Sequence, residues 1–106
     1  MSVVEAYEPD RSLKGKLRRR LVRLAHRRPA RVRLDRPMVT FSFDDAPVTA
    51  TDAGAAILEA RGLKGTYDFA AELADRQGPM GLFAGEAQAR RLAGAGHEIA
   101  CHTFTH

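Results

Sequence analysis

Tryptophan is absent, cysteine occurs once, and aromatic residues make up only 7% of the 106-residue chain. The lone thiol, Cys101, cannot close an intramolecular disulfide, and a cysteine-based zinc finger would need at least two. No apolar run approaches the roughly 18 residues of a membrane span. The N-terminal segment also lacks the apolar core of a secretory signal, so the expected location is cytoplasmic or membrane-peripheral. A 44% hydrophobic content with few aromatics describes an Ala-rich globular chain rather than a disordered one, and its length suits a single domain.

Acidic residues are nearly missing from one stretch. Residues 11–36 carry twelve Lys and Arg against Asp35 alone, whereas residues 37–106 carry five basic and nine acidic side chains. The net charge of +4 and the pI near 9.8 therefore describe a basic leader on a mildly acidic body. The chain accordingly reads as a basic N-terminal segment over 1–36 and a body over 37–106. Within 12–28, Leu13, Leu17, Leu21 and Leu24 share one helical face, and Asp10 or Ser12 can cap its start. Pro29 should end the helix at Arg28. Such an amphipathic helix can pack its leucines on the body. It can also lie on an anionic membrane surface or touch nucleic acid. The absence of aromatics between Tyr7 and Phe41 disfavours nucleic acid, which single-stranded recognition would read by stacking.

In the body, Met38–Phe43 alternates apolar and small polar residues and predicts a strand, stopped by Asp44, Asp45 and Pro47. A helix capped by Thr49 or Thr51 should run to about Arg61, with Ala53, Ala56, Ile57 and Ala60 on one face and Gly62 as its C-terminal stop. Gly65–Ala70 is a second, weaker strand. After a loop with Gly78, Pro79 and Gly81, Glu86 to about Ala93 predicts a helix ended by Gly94 and Gly96. Glu98–Cys101 is a last short strand, reaching His102. Alternating strands and helices point to an α/β fold with a parallel sheet, in which chemistry gathers beyond the carboxyl ends of the strands.

Asp44 and Asp45 follow the first strand, and His102-x-x-x-His106 follows the last. Two imidazoles and one carboxylate suit a divalent metal with open positions, and a second carboxylate nearby can take a proton from activated water. A zincin helix is excluded, because Thr103 stands where that motif needs glutamate. Taken singly, Asp-Asp after a strand is often a turn signal and a terminal histidine pair is often plain surface.

Taken together, Thr40–Asp45 and Gly96–His106 resemble the first two motifs of the polysaccharide deacetylase family (the NodB-homology domain, carbohydrate esterase family 4), and Gly62–Tyr67 resembles its second strand and the approach to it. The resemblance implies the N-terminal part of a distorted (β/α)7 barrel, about three parallel strands with connecting helices, preceded by the basic helix. It implies Asp44 as catalytic base and Asp45, His102 and His106 as metal ligands, with Zn2+ as the expected ion and Co2+ or another divalent ion as substitutes. The implied activity is that of a hydrolase acting on carbon–nitrogen (non-peptide) bonds, resembling a chitooligosaccharide deacetylase. It would remove N-acetyl groups from amino sugars, or O-acetyl groups, in an acetylated glycan substrate.

Several features depart from the family pattern. Ala46 replaces the usual glycine, and Asp68 stands in the second strand where an apolar residue is usual, a costly place for an unpaired carboxylate. His97 belongs to the pattern and is expected to be structural, and Cys101 is expected to point away from the metal side. The family's orienting arginine and general-acid histidine would lie in the missing C-terminal half of the barrel, so a truncated domain without deacetylase activity is expected. The alternatives are a non-catalytic remnant that binds an anionic surface through its basic helix, and a small metal-binding α/β domain unrelated to the family.

Overall fold

The structure, a computed structural model, describes residues 8–105. These divide into two compact units, one within residues 7–38 and one from Val39 onward.

The first unit is built around helix α1, Leu13–Ala25. Its start is fixed by Ser12, whose hydroxyl accepts the Gly15 N–H at 3.0 Å, while Asp10 Oδ1 accepts the Ser12 N–H at 2.9 Å. That backbone hydrogen bond holds the Asp10 carboxyl below its ordinary range. The helix stops at Ala25 rather than at Arg28. The cause is Pro29, which has no N–H to offer the Ala25 carbonyl and whose ring would crowd it.

The second unit carries a three-stranded parallel sheet of β1 (Ser42–Phe43), β2 (Thr66–Phe69) and β5 (Glu98–Cys101), in the order β1-β2-β5. Ser42 lies opposite Thr66 and Phe43 opposite Tyr67; on the other side of β2, Thr66 to Phe69 run opposite Glu98 to Cys101. The first strand is shorter than its alternation suggests. Pairing reaches back only to the Phe41 carbonyl, which accepts the Thr66 N–H at 2.9 Å. Residues 38–40 have no part of β2 beside them, and alternation without a ladder partner does not make a strand.

Between β1 and β2 the chain winds through a wide π-helical turn, Ala50–Gly54, into α2, Ala55–Glu59. Thr49 makes no capping hydrogen bond, and the Thr51 hydroxyl instead donates to the Val48 carbonyl at 3.2 Å. The buried side of this helix is Ala50, Thr51, Ala55 and Leu58, not the face holding Ile57, which is 57% exposed. Alanine spacing alone could not choose between the two faces. Leu58 and the closeness of Gly54 to the Phe43 ring do choose. Gly62 ends the segment in the left-handed region, φ 68°, as a C-terminal glycine should.

Between β2 and β5 come a 3-10 turn at Ala71–Leu73, a hairpin of β3 (Gln77–Gly78) and β4 (Gly81–Leu82), and α3, Glu86–Gly94. Two apolar clusters hold this unit. Ala46, Ala50, Ala55, Tyr67 and Leu92 form one with Phe43 and Phe69, and Ala70, Leu73 and Phe83 form the other. Phe43 stacks on Tyr67 at 4.9 Å between ring centroids.

His97 ties these parts together. Its side chain is fully buried, Nδ1 accepts the Gly65 N–H at 2.9 Å, and Nε2 lies 3.0 Å from Glu59 Oε1. A ring nitrogen that accepts a backbone N–H must carry the lone pair, so the hydrogen sits on Nε2 and donates to Glu59. The structural role expected of His97 is therefore what the contacts describe. Arg91 braces the same carboxylate at 3.2 Å and donates to the Thr51 carbonyl.

The His97 hydrogen bond, ahead of the Arg91 contacts, holds the Glu59 carboxyl below its ordinary value of 4.5. A lowered carboxylate contributes stability that is complete above the unfolded value and is lost as pH falls through the folded one. Urea unfolding at stepped pH should therefore show stability declining below about pH 4.5, with a shallower decline in Glu59→Gln. At neutral pH, His97→Ala should cost roughly 3 kcal/mol, since it leaves the Gly65 N–H buried without an acceptor and opens a cavity.

Candidate active site

Side chains alternate across the sheet, so the paired rows sort into two faces. Phe43, Tyr67, Phe69 and Ile99 occupy one face, where Tyr67 and Phe43 meet the helices through Ala50, Ala55 and Leu92. The other face is polar. Thr66 donates to Glu98 Oε2 across it at 2.6 Å, and Asp68 lies opposite Ala100. Continuing the alternation puts Asp44 beyond β1 and His102 beyond β5 on this polar face, with Cys101 on the opposite one.

At the end of β1 the chain turns sharply. Asp45 and Ala46 both adopt positive φ, 61° and 41°. Aspartate tolerates the left-handed region better than most residues, whereas alanine there is strained. The strain is held by packing and backbone bonds. Ala46 is fully buried, its carbonyl accepts the Ala84 N–H at 3.0 Å, and Pro47 bridges to Phe83. The turn presents Asp45 inward, with its Oδ1 shielded from solvent.

At the end of β5, the His102 N–H donates to the Phe69 carbonyl at 2.8 Å, extending the ladder by one bond. Thr103 then turns through φ 63°, and the Phe104 carbonyl accepts the Glu72 N–H at 2.9 Å. His102 is thus anchored on both sides of its position. Its Nε2 stands 3.6 Å from Asp45 Oδ1.

That separation suits a shared divalent ion. Two donor atoms each about 2.1 Å from one tetrahedral centre stand about 3.4 Å apart. A carboxylate and an imidazole are also an appropriate donor pair for zinc or a similar ion. The third expected ligand, His106, lies outside the described residues. Among the described residues no group of three or more His, Cys, Asp or Glu side chains gathers as a metal cage would. Cys101 is exposed.

One further acid belongs to this site. Asp68 is half-buried on the central strand, hydrogen-bonded to Asp44 and within electrostatic reach of His102 and Glu98. Burial first, then the Asp44 hydrogen bond and charge, push its carboxyl above the ordinary 3.8, while His102 pulls the other way. The sequence marks Asp68 as out of place in a strand but gives it no role. The signal was available: Asp68 follows Tyr67 as Asp44 follows Phe43, and those two aromatics are register partners. Half-burial beside Asp44 disfavours the ionised form of Asp68, and two carboxyls can share a hydrogen bond only while one of them holds a proton.

A carboxyl with a raised folded value makes the native state bind its proton more tightly. Stability from this group is thus greatest at low pH and falls as pH rises from about 3.8 through the raised value. Asp68→Asn should therefore raise the melting temperature at pH 7 in the presence of a chelator. The gain should vanish below about pH 4. Thermal melts at the two pH values check this directly.

Residues 31–106 match the family model described as polysaccharide deacetylase. No curated protein and no solved structure matches the chain.

Proposed function

Because the chain belongs to the polysaccharide deacetylase family, we propose that it carries the metal-side half of a deacetylase site acting on an acetylated glycan. The observation that bears most weight is the meeting of Asp45 and His102, from the first and last strands of the sheet, with Asp44 at the same strand ends. Asp45 and His102 would hold a divalent ion, most suitably zinc, together with His106. When bound, the ion would supply Lewis acidity, activating water and polarising the acetyl carbonyl.

The chain's own residues do the rest of the work assigned here. Asp44 accepts the proton of the attacking water, a role that needs it ionised and fixed in direction. Asp68, packed beside Asp44 on the polar face, would restrict the direction in which the Asp44 carboxyl points. The left-handed turn at Asp45 and Ala46 lets two successive carboxylates serve different ends, one toward the ion and one toward the water. The sheet would form part of a distorted (β/α)7 barrel, whose polar face becomes the interior. The substrate class follows from the family: a glycan bearing N-acetyl or O-acetyl groups. The family resemblance assigns the orienting arginine and the general-acid histidine to later parts of the barrel, so the 106-residue polypeptide by itself would lack turnover.

Calorimetric titration with Zn2+, and the visible spectrum with Co2+, test this reading. The polypeptide should bind one ion. His102→Ala and Asp45→Asn should each weaken binding at least about tenfold, while Asp44→Asn should leave affinity within a few-fold. Binding that ignores His102 would refute the assignment. With metal bound, acetate release from an N-acetylglucosamine oligomer should stay at background for the polypeptide alone. Turnover that is lost in Asp44→Asn would show that the residues present suffice.

A further inference from the structure

The hydrolase reading leaves α1 without a task, and its chemistry is specific. At 3.6 residues per turn, Leu13, Leu17, Leu21 and Leu24 fall within an arc of about 80°. Lys14 borders that arc on one side and Arg20 on the other. Among the described residues of its own unit nothing covers the stripe. Leu13 and Leu24 are 84% and 76% exposed, Leu17 and Leu21 are 59% and 54% exposed, and the one buried position of the helix is Gly15, under the Asp10 turn.

No acidic side chain lies within the helix, and the basic residues continue past its end through Arg27, Arg28, Arg31, Arg33 and Arg36. Among the described residues no helix is long and apolar enough to cross a membrane. An apolar stripe bordered by cations, on a capped helix too short to span, matches the requirements of a bilayer interface. Leucines enter the acyl boundary while the long Lys and Arg stems reach outward to the headgroups.

We propose that α1 lies in the plane of an anionic lipid bilayer, inserting its leucine stripe while its arginines and lysines contact acidic headgroups. Charge complementarity selects the anionic lipid, because a segment with twelve cations against one acid gains little from a neutral surface. The leucines select lipid over nucleic acid. A phosphate backbone is bound by the cations alone, and stacking on bases would call for aromatic side chains that this segment does not have. The inference does not depend on the deacetylase reading, since it invokes no residue of the sheet.

The absence of tryptophan makes insertion directly visible, because Leu21→Trp gives the full chain a single indole emitter on the stripe. The probe is a vesicle of phosphatidylcholine with about 30 mol% phosphatidylserine, compared with phosphatidylcholine alone, at about 50 mM and about 500 mM salt. Binding should need the anionic lipid and weaken at least about tenfold at the higher salt. The indole emission of the Leu21→Trp variant should shift to the blue on binding. The double variant Leu17→Ser/Leu21→Ser should lose at least about tenfold in partitioning while keeping the parent melting temperature. Any of four results would overturn the proposal. These are no binding at low salt, an unshifted emission, undiminished partitioning of the serine variant, or a melting temperature lowered by the serines, which would assign the stripe to folding. Equal displacement of parent and serine variant from vesicles by poly(U) RNA would also overturn it, in favour of a charge-only nucleic-acid surface.

Discussion

The buried imidazole of His97 is the constraint on which the body of the molecule depends. It takes the backbone N–H that precedes β2 and returns a hydrogen to the carboxylate at the end of α2, while itself leading into β5. Three segments distant in sequence are thereby held at one end of the sheet, with Arg91 of α3 closing the arrangement through Glu59 and Thr51. Apolar packing alone has no preferred direction, whereas these hydrogen bonds each have one. Hydrogen bonds to a fully buried ring fix the relative height of β2 and β5. That height decides which side chains stand together at the opposite end.

At that opposite end the requirement is convergence rather than rigidity of one group. Asp45 arrives on a left-handed turn, His102 on the last rung of a ladder, and Asp68 in the middle of a strand. The turn at Asp45 and Ala46 runs against the preference of L-residues, and it is held by the Ala84 N–H and the Pro47–Phe83 bridge. The β3–β4 hairpin, which carries no candidate site residue, serves the site by leading the chain to Phe83 and Ala84, which brace the aspartate turn.

Much of this was legible in the residues. Strand, helix and strand alternation, the stop at Asp44, the glycine at Gly62, and the family resemblance of the two motifs all come from local chemistry, and the parallel sheet and the family match agree with them. What could not be read depended on neighbours. The length of β1 was set by how much of β2 lay beside it. The buried face of α2 was set by one leucine and by a glycine under an aromatic ring, in a segment where alanines point everywhere. Helix α1 ends three residues short of Arg28, because Pro29 acts on the carbonyl four residues before it as well as on its immediate neighbour. The Asp44–Asp68 pair could be read only by setting Phe43 opposite Tyr67, since the two acids become neighbours through strand register.

The two-faced sheet has a bearing on how the chain finds its structure. Sliding β2 by a single residue against its neighbours would turn Asp68 toward Leu92 and Ala55 and send Tyr67 into water. Acids and threonine on one side are therefore as effective as the aromatic rings on the other at rejecting mispaired strands. The polar groups of this face double as proofreaders of assembly, so a substitution that makes the face greasier would remove a folding checkpoint even where it spared every proposed ligand.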